Sequence, residues 1–467
     1  MLFTDHFFIL YFFPIFFIFY YLFRKSLILS DAVLIIFSLL FYASFGLNNL
    51  PILLVPLFID YFAGIYLQKQ KSKRKRKIIL TLLIIGNLLL LGYFKYAAFT
   101  ITSILLFHKT HYLTDLTFYK SLIVPVGISF ITFQRISYAV DIYRKKIKAS
   151  KNLLQYASYA LLFPHLISGP IVRYSFIQQQ LKKRKISSLL MFDGMKYLAI
   201  GLFLKLLVAD KLYIVESTLS GNIANSHSIE AIILLFYFSF RIYLDFCGYS
   251  LIAIGLAKLM GFEFPHNFNA PYQALNITDF WRRWNITLSG WLRDYLYIPL
   301  GGNRKGKIRT YVNLIVTMLL GGLWHGASWN FVLWGLLHGS YLAIERYLSD
   351  SKINVPLPNL IKRYLTFLLV TVTWLTFLFK NPSDISMEIN KIMQLNFVLP
   401  PLSTSLLIQE SLLALIIAVV WSFFLKEEYI EKIKPSILTS VSIAVLFLIC
   451  IYSALWGTGV PFIYFQF

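Results

Sequence analysis

Long apolar stretches constrain this chain more than any other feature. A helix needs about 20 apolar residues to cross the hydrocarbon core of a bilayer. Segments of about that length lie at residues 7–23, 28–45, 50–67, 78–95, 189–209, 230–256, 362–380, 405–425 and 436–456. Charged residues make up only 14% of the chain, against roughly a quarter in a soluble domain. The sequence therefore predicts an all-α, polytopic membrane protein.

The middle of the chain is apolar but interrupted. Gly, Pro or polar residues break the segments around 116–140, 153–172 and 307–345. Irregular backbone at membrane depth is tolerated only where it is buried in protein or lines a cavity. We expect roughly ten to twelve membrane helices, with re-entrant or interfacial helices among them. No segment is polar and long enough for a soluble domain, so we predict one integral membrane domain over 1–467. Its catalytic core is residues 116–345, and its scaffold helices lie at 1–115 and 346–467.

The net charge of +23 is concentrated in short loops. Those loops are Lys69–Lys77, Arg144–Lys151, Lys182–Lys185 and Arg304–Arg309. Positive loops between membrane helices stay in the cytoplasm, near anionic lipid. The first residues carry no positive n-region and no cleavage site follows them, so we predict a retained first span at 7–23. Three spans precede the first loop, so we predict an N-terminus outside. Basic patches interleaved with aromatic residues are absent, which excludes nucleic acid as a partner. Cys247 and Cys450 lie in apolar runs, so we expect neither a disulfide framework nor a metal site.

One imidazole stands out. His325 follows Trp324 and precedes Gly326 inside a hydrophobic stretch. A titratable side chain at membrane depth is expensive and usually faces a cavity or a functional pathway. A histidine there can exchange a proton near neutral pH. The alternative is a core histidine bonded to a backbone carbonyl.

Residues 276–297 predict an amphipathic helix near the membrane interface, capped by Thr278 or Asp279. Tryptophans recur on its apolar face, and Arg282 and Asp294 fall on the other side. Asn285 lies at the edge of the apolar face, where an unpaired amide costs roughly 1–3 kcal/mol. A buried hydrogen bond or a substrate would satisfy it.

Other polar residues in apolar runs are candidates for a wet cavity. Arg241 and Asp245 lie four apart on one helix face, where they should pair with each other or line such a cavity. Gln134 and Tyr138 recur at about one helical turn and are predicted to line the same cavity. His165 lies between two prolines that predict a re-entrant turn or a kink. For His165 a backbone-bonded turn residue is the favoured interpretation.

The turn at 299–306 is rich in glycine and basic residues. Its backbone amides, with Arg304 and Lys305, could hold phosphates. The turn does not match a Walker loop, so nucleotide hydrolysis is not indicated. A plain cytoplasmic turn fits its sequence equally well.

Several stretches together resemble one family, the membrane-bound O-acyltransferases, in the bacterial branch typified by the membrane subunit of alginate O-acetylation. They are FPHLISGPIVRY (163–174), LDFCGYSLIAIGLAKLMGF (244–262), FNAPYQALNITDFWRRWNITLSGWLRDYLYIPLGGNRKG (268–306), LLGGLWHGASWNFVLWGLLHG (319–339) and VPVGISFITFQRISYAVDIYR (124–144). The resemblance covers most of the chain and is densest from 120 to 345.

The resemblance implies a ring of membrane helices around a tunnel, with the family's invariant histidine at His325. The family's second characteristic position falls on Asn285, where this branch often has histidine. That departure leaves His325 as the single base and makes Asn285 a binding or orienting group. Trp324, Arg282, Arg241, Asp245, Gln134, Tyr138, Asp294, Arg304 and Lys305 are the candidates for binding substrate or lining the tunnel. We expect no bound cofactor and no metal site.

The resemblance also implies the reaction. The expected donor is acetyl-CoA or another acyl thioester on the cytoplasmic side, and the acceptor is a polysaccharide of the cell envelope. The expected location is the cytoplasmic (inner) membrane of a bacterium, with membrane lipid around the chain and an SGNH-type acetyltransferase as periplasmic partner. Transfer of D-alanine or of a lipid acyl chain stays open, as does a transporter or flippase without enzyme activity. A transporter would keep its flux after His325→Ala.

Overall fold

The protein is helical throughout the residues that its computed structural model describes, which are 1–107, 124–353, 356–457 and 459–465. This part of the chain contains no strand. The α-helices are α1 (Phe13–Leu22), α2 (Leu27–Ala43), α3 (Leu50–Lys69), α4 (Lys73–Leu91), α5 (Ala97–Phe107), α6 (Ile128–Tyr143), α7 (Leu153–Leu161), α8 (Phe163–Leu166), α9 (Tyr174–Lys182), α10 (Ser188–Leu202), α11 (Asp210–Gly221), α12 (Ser228–Leu259), α13 (Ile277–Arg283), α14 (Ile286–Leu292), α15 (Lys307–His325), α16 (Trp329–Asp350), α17 (Asn359–Leu378), α18 (Pro382–Met393), α19 (Leu402–Phe424), α20 (Glu428–Lys432) and α21 (Ile437–Trp456).

All of the uninterrupted apolar segments predicted from the sequence are helical. Within the described ranges, six helices are long and apolar enough to cross a membrane. They are Leu47–Lys69, Lys73–Leu105, Ser228–Leu259, Asn359–Leu378, Leu402–Phe424 and Ile437–Trp456, and Phe8–Leu22 and Leu27–Ala43 are shorter apolar helices. The predicted all-α, polytopic membrane fold is confirmed.

Two of the three interrupted segments break where the sequence indicated. The third, at 116–140, lies partly outside the described residues. The segment at 153–172 divides into α7, the four-residue α8 and a non-helical run, and that at 307–345 breaks at Gly326 between α15 and α16. Short π-helical stretches extend several helices, at Phe8–Phe12, Gly92–Tyr96, Phe203–Ala209 and Arg293–Tyr297. Such irregularities are frequent at functional sites.

The chain groups into two compact units. The first comprises Met1–Met191 and Leu256–Pro265. An aromatic cluster surrounds Phe163 in its core, formed by Phe3, Phe8, Phe12, Phe16 and Phe41. The buried ion pairs Arg135–Asp60 and Arg184–Asp31 lie in this unit. The predicted division into a core and scaffold helices stays a prediction, and its boundary at 115/116 falls outside the described residues.

The second unit comprises Phe192–Gly255 and His266–Phe467. Two of the apolar helices differ sharply in burial. In α12, 83% of the most apolar window is buried, whereas in α21 the share is 6%. A helix that is apolar all round and buried belongs to a protein core, whereas α21 presents its surface to lipid. Most of the candidate site residues lie in this unit.

Candidate active site

His325 lies at the tip of a helical hairpin. It is the last residue of α15, and α16 runs back beside α15, so that the Tyr311 hydroxyl donates to the Asp350 carboxylate (3.2 Å) at the open end. The two backbones touch, because a Cβ on Gly322 would lie 2.1 Å from the carbonyl oxygen of Phe331. Small residues allow such close helix packing within a membrane. The close packing of α15 and α16 therefore fixes the position of His325 at the end of the hairpin.

Aromatic rings surround the imidazole. The centroid distances from the His325 ring are 5.0 Å to Trp324, 5.0 Å to Trp334, 5.2 Å to Phe377 and 5.6 Å to Tyr464. Only 4% of His325 is exposed. An imidazole held in this way can accept and return a proton without moving its ring.

Asn285 lies at a break between two helices. The predicted continuous helix over 276–297 is wrong, because α13 ends at Arg283 and α14 begins at Ile286. Asn285 adopts a left-handed conformation there, with φ of +42°. It is 1% exposed. The predicted cap at Thr278 or Asp279 is also wrong, since the Asn276 side chain accepts from the Asp279 amide (2.7 Å).

Backbone pairing from a distant segment explains the break. The Ile286 amide donates to the carbonyl oxygen of Asn267 (2.9 Å), and the Asn269 amide donates to that of Arg283 (3.0 Å). These bonds satisfy groups on either side of Asn285 that a continuous helix would use internally. Asparagine tolerates the left-handed conformation better than most residues.

Tyr464 brings His325 and Asn285 together. Its ring contacts the imidazole of His325, and its hydroxyl interacts with the side-chain amide of Asn285. Neither the nitrogen nor the oxygen of that amide makes a hydrogen bond of good geometry within the described residues. Tyr464 was not predicted from the sequence, because it is one of several aromatic residues in an apolar stretch. No local signal marks it.

A large cavity opens beside α13. It measures about 1320 Å³, and Arg282, Arg293 and Arg304 line it, together with Asp279 and Glu345. Arg346 and Lys362 also face it. A concave site of this size with an excess of cations suits an anionic ligand.

A second cavity adjoins the first. It measures about 570 Å³, shares Arg282 and Arg293 with the first, and reaches Trp281. The Trp281 ring packs on Trp334 (5.5 Å), which packs on His325 (5.0 Å). His325 lines neither of these two cavities and lies two ring contacts beyond the cavity wall.

The predicted pairing of Arg241 with Asp245 is wrong. Arg241 pairs with Glu216 (2.5 Å) of α11, and Asp245 pairs with Lys205 (2.6 Å) of the π-helical stretch before α11. Glu216 and Lys205 lie on the neighbouring helical segment, and their side chains reach across to α12. All four side chains are nearly or fully buried.

Gln134 and Tyr138 lie in the first unit, and both are bonded there. The Gln134 amide donates to Nδ1 of His165 (2.8 Å), and the Tyr138 hydroxyl accepts from the Ser150 amide (3.0 Å). Nε2 of His165 donates to the carbonyl oxygen of Tyr159 (2.9 Å), which confirms His165 as a backbone-bonded turn residue. A cavity-lining role for Gln134 and Tyr138 stays a prediction.

The remaining candidates divide by location. Arg282 lines both cavities and Arg304 the larger one, whereas Lys305 lines neither. Asp294 pairs with Arg293 (2.7 Å). Trp324 is buried against His325. Their functional roles stay predictions. The described ranges contain no group of three or more His, Cys, Asp or Glu residues that could hold a metal ion.

Known proteins resemble this chain over most of its length. The membrane-bound O-acyltransferase family model matches residues 45–378. A probable alginate O-acetylase of Pseudomonas putida is 39% identical over 82% of this chain and 78% of its own. A peptidoglycan O-acetyltransferase of Helicobacter pylori is 35% identical over 82% of this chain and 77% of its own. A teichoic acid D-alanyltransferase of Bacillus subtilis is 28% identical over 54% and 67%.

Proposed function

The chain belongs to the membrane-bound O-acyltransferase family, and from that premise we propose that it moves an acetyl group from a cytoplasmic thioester to hydroxyls of an extracytoplasmic polysaccharide. It is a multi-pass membrane protein and an O-acyltransferase, so its substrates are an acyl donor and a glycan acceptor.

The observation that carries the proposal is the meeting of His325 and Asn285 at Tyr464. An acceptor hydroxyl attacks the thioester carbonyl carbon, and His325 takes the hydroxyl proton. The Asn285 amide donates to the carbonyl oxygen as negative charge develops on it. The carbon–sulfur bond then breaks, and the imidazolium returns the proton to the leaving thiolate. No external acid or base is consumed.

The basic cavity is the proposed entrance for the donor. Coenzyme A carries phosphates, which Arg282, Arg293 and Arg304 would bind. Positive loops face the cytoplasm, so this cavity lies on the side where thioesters are made. The route to His325 leads past Trp281 and Trp334, so transfer requires these rings to move apart.

The acceptor follows from the relatives. Two relatives that match 82% of this chain carry names that specify O-acetylation of alginate and of peptidoglycan. We propose that the protein acts on an envelope polysaccharide from the cytoplasmic membrane of a bacterium, with a periplasmic SGNH-type acetyltransferase as its partner. The transporter interpretation is set aside, because the family is one of acyltransferases.

Transfer of D-alanine is the second candidate. A relative named for that reaction shares 28% identity over about half of this chain. The two candidates differ in donor, since D-alanine transfer would leave acetyl-CoA unused.

Labelled acetyl-CoA tests the proposal directly. Membranes containing the protein should release free coenzyme A and acetylate envelope glycans, as measured by mass analysis of the glycans. Arg282→Gln should raise KM for acetyl-CoA about tenfold, because one charge-assisted contact is worth about 1.5–3 kcal/mol. The control is Arg309→Gln, which changes an exposed arginine on α15 that does not line the cavity.

Two outcomes would contradict the proposal. Unacetylated glycans in cells that produce the protein would exclude acetyl transfer as its reaction. Equal KM values in the Arg282 and Arg309 variants would remove the basic cavity as the donor entrance.

A further inference from the structure

Residues 460–465, here the 460–465 segment, are fixed inside the second unit by buried charges rather than by helical hydrogen bonds alone. Val460, Phe462 and Ile463 are 5%, 2% and 0% exposed. The segment has only one turn of 3₁₀-helix, Ile463–Phe465. Backbone groups in such an irregular stretch need partners from elsewhere in the protein.

Lys205 supplies one of those partners. Its ammonium donates to the carbonyl oxygen of Val460 (3.2 Å). The same ammonium lies 2.6 Å from carboxylate oxygens of both Asp210 and Asp245. The Lys205 side chain is 1% exposed. Two hydrogen bonds, to Asp210 and Val460, and an ion pair with Asp245 therefore hold the ammonium inside the protein.

Asp245 supplies the other partner. Its Oδ1 lies next to Lys205, and its Oδ2 accepts from the backbone amide of Ile463 (2.7 Å). The Asp245 side chain is fully buried. A bond from a backbone amide to a buried carboxylate is about twice as strong as a neutral one. The Lys205–Asp245 pair thus binds the segment at both a carbonyl and an amide.

Aromatic side chains of α12 also contact the 460–465 segment. Phe462 stacks on Tyr249 (4.4 Å), and Tyr464 packs on Phe246 (4.4 Å). Tyr249 and Phe246 lie within about one turn of Asp245 on the same helix. The segment is therefore held in one register, with Tyr464 directed toward His325 and Asn285.

A stabilising role alone does not explain the pair. Burying two charges costs desolvation energy that their attraction only partly returns, so apolar replacements often stabilise a protein equally well. In some proteins a buried ionic group retained at such a cost fixes a register or a unique arrangement.

We infer that Lys205 and Asp245 form an ionic latch that holds the 460–465 segment in place and thereby positions Tyr464 against His325 and Asn285. Lys205 and Asp245 are positioning residues, which touch the segment and not the reacting atoms. The predicted effect on acetyl transfer rests on the proposed function, whereas the position of the 460–465 segment does not.

Thiol labelling tests the latch without any assay of activity. The probe is Ile463→Cys in a background carrying Cys247→Ala and Cys450→Ala. N-ethylmaleimide is added to membranes, and mass spectrometry follows the modification. We expect the thiol introduced at position 463 to be protected while Lys205 is intact and to react at least ten times faster after Lys205→Met. Acetyl transfer should fall at least tenfold in the same variant.

Lys196→Met is the matched control. Lys196 lies on α10, is 0% exposed, and bonds to Asp193 (2.7 Å) and to the carbonyl oxygen of Ile433 (3.1 Å). Its loss removes a comparable buried ion pair without touching the 460–465 segment. The double variant Lys205→Met/Asp245→Asn removes both charges, so it remains informative if the single variant fails to fold.

The outcomes separate the two claims. Fast labelling in the Lys205 variants but not in Lys196→Met supports the latch. Slow labelling of the thiol at position 463 in all folded variants overturns the latch. Labelling in Lys196→Met that is as fast as in the Lys205 variants also overturns it. Absence of acetyl transfer in the unmodified protein would reject the proposed function and leave the labelling result to decide the latch.

Discussion

At the scale of single residues, the backbone at Asn285 is the most informative local feature. A residue other than glycine with positive φ carries strain of about 1–2 kcal/mol. Such strain persists where the surrounding structure over-determines it, and it concentrates at active sites. Asn285 is fully enclosed, and two long-range backbone bonds flank it. The conformation therefore places the amide at the tip of a turn, beside Tyr464.

Replacing Asn285 by glycine separates the side chain from the backbone. Glycine adopts the left-handed conformation without strain, so Asn285→Gly should fold with little loss of stability. Transfer should fall about 100-fold or more, because one hydrogen-bond donor to the developing charge is lost. Transfer rate and apparent melting temperature in detergent measure the two effects. An unchanged rate would make Asn285 a purely structural residue.

A buried carboxyl outside the membrane-spanning helices predicts a dependence of stability on pH. Glu388 of α18 is fully buried, and neither carboxylate oxygen has a hydrogen-bond partner within the described residues. Burial raises the pKa of Glu388 to about 7. The folded protein then keeps a proton that the unfolded chain releases near pH 4. The contribution of Glu388 to stability is therefore full below about pH 4 and is lost as pH rises to about 7, by on the order of 3 kcal/mol.

Glu388→Gln should flatten that dependence. Melting temperatures at pH 5 and pH 8 should differ less in this variant than in the unmodified protein. The control is Glu410→Gln, which changes an exposed carboxylate on α19. A pH difference that survives in Glu388→Gln would show that the Glu388 carboxyl does not cause it.

At the scale of elements, the hairpin of α15 and α16 depends on glycine. Gly322→Ala would place a methyl group 2.1 Å from the carbonyl oxygen of Phe331. Forcing the helices apart should cost about 1–3 kcal/mol and move His325 away from Tyr464. Gly86→Ala on α4 is the control, because nothing lies within 4 Å of its new methyl group. We expect a lower melting temperature and lower activity in the first variant only. Equal melting temperatures would contradict the tight packing.

The sequence predicted elements well where the signal is local. Long apolar runs predicted the membrane helices. The position of His325 inside an apolar stretch singled it out as a candidate. Two features depended on long-range contacts and could not be predicted. The break at Asn285 is set by backbone bonds from Asn267 and Asn269, against the helical spacing of the tryptophans. The partners of Arg241 and Asp245 come from another helix, so spacing along α12 misassigned them.

At the scale of the whole molecule, the charge distribution predicts an orientation. Lys305 lies in a basic turn and Leu47 in an uncharged one, and both are exposed. Single cysteines at these positions should react with an impermeant maleimide from opposite sides. Leu47→Cys should label in intact cells, and Lys305→Cys only after permeabilisation. The reverse pattern would place the basic cavity outside and remove it as a donor entrance.

The central claim is that one imidazole moves the proton during acyl transfer. His325→Gln keeps a polar side chain of similar volume but cannot act as a base. The direct measurement is acetyl transfer from labelled acetyl-CoA to envelope glycan, in membranes with equal amounts of folded protein. We predict a fall of at least about 100-fold, the usual contribution of a general base. Transfer at the unmodified rate in His325→Gln would contradict the account.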